Sequence, residues 1–140
     1  MKNFFLILSV LFLVSCGTKT DFKIKDETGK TRILVQTDGS VIVDNAVSGK
    51  ITKDGTVTDK GGKILAKIGK NNVITDSEDV ALIKINENGK IDNGSGVFFE
   101  WNENGEVMKG NENIGIKMSP VKKESFRNAS IILFLLLLSE

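Results

Sequence analysis

Ile83-Lys84-Ile85-Asn86-Glu87-Asn88-Gly89-Lys90-Ile91 decides the fold. Ile83 and Ile85 alternate with Lys84, a polar Asn-Gly pair follows, and Ile91 resumes the apolar pattern two residues after the glycine. An apolar period of two marks a strand with one buried face. Asn-Gly between two such runs is the strongest short-range hairpin signal, because both central residues of a type I′ turn need a positive φ, which Asn and Gly tolerate. The stretch therefore predicts strand, tight turn, antiparallel strand.

The same unit recurs along the chain. Asp38-Gly39, Asp54-Gly55, Asn71-Asn72, Asn88-Gly89 and Asn104-Gly105 follow one another at spacings of 16, 17, 17 and 16 residues. Four residues before each second turn position stands Val35, Ile51, Ile68, Ile85 or Trp101, and two residues after it Val41, Val57, Ile74, Ile91 or Val107. Ile33, Gly49, Ala66, Ile83 and Phe99 occupy the position six before, with polar residues such as Lys50, Lys67, Lys84 and Glu100 between. A repeat of this length identifies tandem supersecondary units. A second turn cluster follows each hairpin: Asp44 to Gly49, Asp59 to Gly62, Asp76 to Asp79, Asp92 to Gly96 and Lys109 to Asn113. A leading strand near Phe22 to Lys25 and a trailing one near Ile114 to Met118 complete the pattern, and the single proline, Pro120, lies beyond them as a sheet requires.

The expected fold is mainly β: an antiparallel meander of about five tandem β-hairpin repeats, 16–17 residues each, with one C-terminal helix. An open meander, a small barrel and a two-sided solenoid all satisfy the pattern. A meander curled around its apolar face is preferred, since two-residue turns join antiparallel neighbours. The motif aliphatic-x-Asp-x-x-Gly-x-aliphatic, clearest in Val57-Thr58-Asp59-Lys60-Gly61-Gly62-Lys63-Ile64, resembles short β-repeats of bacterial surface and envelope proteins. The single-layer repeat sheet of spirochaete outer-surface lipoproteins is an architectural analogue. Fold similarity carries no function with it.

Residues 119–140 read as the helix. Ser119-Pro120 suggests an N-cap followed by proline at the first helical position. Ala129 to Leu138 is apolar apart from Ser130 and apolar on every side at helical spacing. Ten residues rise about 15 Å, half of a bilayer core, so this segment does not cross a membrane alone. An all-round apolar helix is a buried one, which favours a helix laid across the apolar face of the sheet. A second membrane contact or a partner-docking helix is the alternative.

At the other end, Lys2 precedes an apolar run from Phe4 to Val14 broken only by Ser9, and Leu13-Val14-Ser15-Cys16 closes it with the single cysteine of the 140 residues. A basic start, a short apolar stretch and a small-residue site form the signal-peptide pattern. Leu13, Val14, Ser15 and Cys16 resemble, position by position, the lipobox of bacterial lipoproteins with a type II signal peptide. That resemblance implies cleavage between Ser15 and Cys16 and acyl chains, palmitate among them, on Cys16. Two or three chains hold a protein stably at a bilayer where one does not. Residues 1–15 are then the signal peptide, 16–21 a lipidated tether and 22–118 the repeat β domain. Gly17 rather than an acidic residue follows the cysteine, which in that family implies the outer membrane, periplasmic face in preference to cell surface. The Phe, Ile, Lys and Asn usage is similar to that of low-GC diderm bacteria such as the Bacteroidota.

Charge and composition narrow the chemistry. Of 19 basic and 18 acidic side chains, removal of the signal takes Lys2 alone and leaves 18 of each. Nucleic-acid binding rests on clustered Lys and Arg, so no such partner is expected. The chain has no histidine and no tyrosine, which excludes a Ser-His-Asp triad and a His-ligated metal. No cofactor and no metal are expected. Paired carboxylates remain as a hydrolase option, with Asp76, Glu78 and Asp79 the one acidic cluster, but a solvated turn accounts for them better. The segments around Asn88-Gly89 and Asn104-Gly105 are similar to calcium loops only in part. An EF-hand needs an acidic first ligand and a Glu six residues after its glycine, and Lys84 with Ser95, or Asn111, stand there instead. Phe98, Phe99 and Trp101 form the aromatic cluster of the repeats: Phe99 and Trp101 share a face with Val97, while Phe98 points the other way. Core packing is the plainer reading, and a glycan- or lipid-binding platform the functional one. The expected function is a non-catalytic, lipid-anchored envelope protein, a structural or interaction module. Its partners would be the membrane, through Cys16, and an envelope protein or glycan.

Overall fold

A computed structural model describes residues 19–93 and 96–139, with backbone alone for 137–139. The signal and lipobox residues, Ser15 and Cys16 among them, lie outside the described residues. Twelve strands are present among the described residues: β1 (Thr20–Lys25), β2 (Thr31–Gln36), β3 (Ser40–Val43), β4 (Ala46–Ile51), β5 (Val57–Asp59), β6 (Ile64–Ile68), β7 (Val73–Thr75), β8 (Ala81–Ile85), β9 (Ile91–Asp92), β10 (Val97–Trp101), β11 (Glu106–Lys109) and β12 (Glu112–Ser119). Each pairs antiparallel with its neighbour in sequence, and β1 closes on β12 through Lys23↔Ser119, Ile24↔Met118 and Lys25↔Lys117. The meander is therefore a closed barrel, which leaves no unpaired edge.

The five repeats become five equivalent cross-strand pairs. Val35 faces Val41, Ile51 faces Val57, Ile68 faces Ile74, Ile85 faces Ile91 and Trp101 faces Val107. All lie on the inner surface, and most are buried. The alternate residues, among them Lys23, Lys50, Lys67, Lys84, Glu100 and Lys117, face outward and stay partly or fully exposed.

The turns at one end of the barrel, here the near end, lie at Asp38-Gly39, Asp54-Gly55, Asn71-Asn72, Asn88-Gly89 and Asn104-Gly105. At Asn71-Asn72 both residues have φ of +60° and the Val73 N–H donates to the Lys70 carbonyl, as the sequence predicts; the other four are longer than two-residue type I′ turns. In the Asn88-Gly89 turn the Gly89 N–H donates to the Asn86 carbonyl at 3.0 Å, and glycine alone takes a positive φ, +83°. This is a three-residue connection with glycine in the left-handed position, the geometry of a G1 bulge. Bulged connections add right-handed twist, which a sheet needs in order to close. A side chain at the head of the turn selects it: Asn102 Oδ1 accepts from the N–H groups of Asn104 and Glu106 at 2.9 and 3.0 Å. Asp26, Asp59 and Asp76 do the same at the opposite, far end. At the far end Asp44-Asn45, at +48° and +69°, likewise has both central φ values positive. There the expected cluster to Gly49 shortens, because Ala46–Ile51 already belongs to β4. Likewise Glu112 and Asn113 open β12 rather than a loop.

The C-terminal segment departs furthest from the expectation. Ser119 ends β12 and is no helix cap; its peptide bond to Pro120 is cis. The chain crosses the near rim, makes a 3₁₀ turn at Lys123–Ser125 and enters α1 (Phe126–Ser139). α1 does not lie across an open face but runs down the inside of the barrel. Ala129, Ser130, Ile131, Ile132, Leu133 and Phe134 are all at most 7% exposed, more than a full turn with no solvent side. Fourteen residues span about 21 Å and a five-residue strand about 17 Å, so one helix fills the height of the barrel. An all-apolar helix and a ring of inward aliphatic residues each satisfy the burial the other needs.

Candidate functional site

Two places combine polar groups with the apolar interior. The first, at the near end, is structural. Ser130, the one hydroxyl in the apolar run, is fully buried; it donates to the Gly89 carbonyl and accepts from Trp101 Nε1–H at 2.7 Å. The Trp101 indole stacks on Phe126 with ring centroids 5.1 Å apart and planes 8° from parallel. Asn128 Nδ2 donates to the Thr52 carbonyl at 3.2 Å, and a Cβ on Gly89 would stand 2.6 Å from the Phe126 carbonyl oxygen. The near-end turns thus grip the first two turns of α1.

The second place is at the far end. Between α1 and the wall of β10, β11, β12, β1, β2 and β3 lies a cavity of about 380 Å³. Its depth is apolar: Ile24, Ile33, Phe99 and Val107, none more than 2% exposed, with Leu133 and Leu136 from the helix. Ile114 and Ile116 of β12 also line it, as do Lys25, Asp26, Arg32 and Asp44. Arg32 donates to Asp44 through Nε at 2.6 Å and Nη2 at 3.1 Å, and its Nη1 stands 3.8 Å from Asp26 Oδ2. The hydrogen bond from Arg32 holds the Asp44 carboxyl below its usual pKa. Asp26 is lowered chiefly by the Thr28 hydroxyl, with backbone N–H groups and Arg32 adding to it. Both carboxylates are charged near neutrality, and the four rim groups sum to zero charge.

Phe98, Phe99 and Trp101 do not form one platform. Phe99 is buried and faces the far-end cavity, Trp101 is half-buried against Phe126, and Phe98 looks outward, half-buried, with Lys109 Nζ 5.9 Å from its ring centroid. Phe98 and Phe99 meet edge to face, centroids 5.6 Å apart. Among the acidic cluster, Asp76 accepts from its own turn and Asp79 pairs with Lys67 at 2.7 Å. No group of acidic, His or Cys residues fit to hold a metal is present among the described residues. Sequence reasoning missed the cavity and its rim. The inward positions of Ile33 and Phe99 are legible from their alternation, but the space between them and the helix depends on where the helix sits across the barrel. Arg32 and Asp44, twelve residues apart, meet only because β2 pairs with β3.

No protein-family model, curated protein or solved structure matches the chain.

Proposed function

We propose that the chain is a non-catalytic, lipid-anchored protein of the bacterial envelope, held at a membrane by acyl chains on Cys16 and presenting its barrel as a structural or interaction module. The observation that carries this reading is the Leu13-Val14-Ser15-Cys16 lipobox behind a short apolar run. The barrel supports it in two ways. Lys19 lies at the near rim, where its carbonyl accepts from the Thr37 N–H at 2.8 Å. Thr20 and Asp21, expected in the tether, belong to β1, so in this reading a lipidated Cys16, three residues before Lys19 in sequence, would hold the near end towards the bilayer. The outward faces of the strands carry lysines and acids while the interior is apolar, the reverse of a barrel that spans a membrane. Strands of two to eight residues are also shorter than the roughly 9–11 that span a bilayer. No helix among the described residues is long and apolar enough to cross one.

Metabolic labelling with radioactive palmitate tests the anchor. The wild-type chain should carry label and the Cys16→Ala variant none; equal label on both overturns the reading. Protease treatment of intact cells then separates the periplasmic face, where the barrel is protected, from surface display, where it is cut.

A further inference from the structure

The far-end cavity is not needed to hold the barrel together. Voids weaken a core in proportion to their volume, and a second space between α1 and the wall, beside β3, β4, β5 and β6, is smaller, about 150 Å³. The aliphatic and aromatic depth of this cavity offers water no hydrogen-bond partners, and such a space accepts apolar guests. At about 380 Å³ it falls near the lower end of the roughly 300–1,000 Å³ of small-molecule sites. That is room for one slender chain.

We propose that this cavity binds a single-chain amphiphile with an electrically neutral polar head: the chain enters between Phe99, Val107 and Leu133, and the head rests on the Lys25, Asp26, Arg32 and Asp44 rim. The lining is itself amphipathic, an apolar depth with the charged groups of Lys25, Asp26, Arg32 and Asp44 at the strand ends and turns, so a guest with one polar end has one favoured orientation. The rim selects the head. An anionic head meets two carboxylates, and to use Arg32 it must displace Asp44 from a two-point contact of the geometry that makes guanidinium–carboxylate pairs strong. A cationic head meets Lys25 and Arg32. A neutral head with hydroxyl groups hydrogen-bonds to both signs and disturbs neither. The inference does not depend on the lipid anchor, since it rests on the far-end cavity alone.

The test uses the full chain carrying Cys16→Ser, with N-phenyl-1-naphthylamine as the fluorescent reporter and monododecanoylglycerol, dodecanoate and a two-chain phosphatidylcholine as competitors. The expected result is saturable 1:1 enhancement, displaced by monododecanoylglycerol at concentrations at least tenfold lower than by dodecanoate, with no displacement by the two-chain lipid. Ile114→Trp fills the mouth from a rim position that is 38% exposed, so the fold tolerates it. It should weaken reporter binding at least tenfold while leaving the melting temperature equal or higher. Ile116→Phe, from the same strand, should act likewise, and Leu82→Ser on the outer rim of β8 should change nothing. Absence of saturable binding overturns the proposal. So does binding that survives both plugging variants, or that falls with Leu82→Ser, which would mark adsorption to the outer surface. Dodecanoate competing as well as the glyceride overturns the assignment of a neutral head.

Discussion

Gly89 and Gly110 both take a positive φ, +83° and +65°, yet they stand in different surroundings. A Cβ on Gly110 meets nothing within 4 Å; one on Gly89 meets the Phe126 carbonyl at 2.6 Å and Ser130 Oγ at 2.9 Å. Gly110→Ala therefore carries the backbone cost alone, about 1–2 kcal/mol. Gly89→Ala must also push α1 out of its seat, which adds a cost like that of overpacking, about 1–3 kcal/mol. Urea titration followed by circular dichroism should show the Gly89→Ala midpoint well below that of Gly110→Ala; equal midpoints would mean that the turn does not bear on the helix. Ser130 is the second contact of this seat. Ser130→Ala leaves the buried Gly89 carbonyl and the Trp101 N–H without their partner, a cost of about 1–3 kcal/mol. Trp101→Phe should partly relieve it, so the double variant should lose less than the sum of the singles. Additive losses would show that Trp101 and Ser130 are not coupled. Ser130 was legible in the sequence as a lone hydroxyl in an apolar run, but its partners were not: Gly89 and Trp101 lie 41 and 29 residues away and reach it only through barrel closure.

At the scale of the turns, oxygen side chains rather than the Asn-Gly pairs set the geometry. Asp26, Asp59, Asp76 and Asn102 each accept two backbone N–H groups. Thr52 takes part in the same way, accepting from Thr56 N–H and donating to Asp54. An Asp, Asn or Thr at the head of the turn is thus the physical unit of the repeat, with Gly three residues later in each of these turns but that of Asp76; the type I′ reading failed where that glycine takes the left-handed position of a G1 bulge and held at Asn71-Asn72, both at φ +60°. Several of these carboxylates have lowered pKa values. Asp26 is lowered first by the Thr28 hydroxyl, Asp44 by Arg32, Asp54 by the Thr52 hydroxyl and Asp38 by the Ser40 backbone N–H, all from 3.8. Near pH 4 the unfolded chain then binds more protons than the folded one, so stability rises with pH through that window. The contribution is complete above 3.8 and is lost as pH falls through the lower folded values. The melting temperature should be flat from neutral pH to about pH 5 and decline below pH 4, with the group of exposed turns acting together. Asp26→Asn keeps an acceptor oxygen, as Asn102 does in the same role, and should flatten part of the acid limb. A melting temperature constant down to pH 3 would remove the turn carboxylates from the account.

For the whole molecule, the repeat in the sequence and the behaviour of the fold part company. Tandem units that touch only their neighbours unfold piecemeal, with stability close to a sum over units. Here β1 pairs with β12, Asp21 meets Lys122 across 2.8 Å beside that seam, and one helix packs against residues from every part of the barrel. Losing a hairpin breaks the ring, and losing the ring exposes α1. The strand alternation was readable from the five repeats, and so were the leading and trailing strands. Closure was not, because the pairing of residues 23–25 with 117–119 leaves no local trace, and the apolar helix fits an open face as well as a closed interior. Closure makes a measurable difference. In urea, Trp101 fluorescence reports the near-end helix seat and far-UV circular dichroism reports the strands, and the two should trace one coincident transition. Refolding should take milliseconds to seconds, as expected where the defining contacts join distant parts of the chain. Excising one complete unit, residues 56–72, removes a hairpin's worth of wall while leaving the turn pattern intact. An open stack of repeats would survive that deletion with only a reduced midpoint, whereas a closed ring around a helix of fixed girth should lose its cooperative transition altogether.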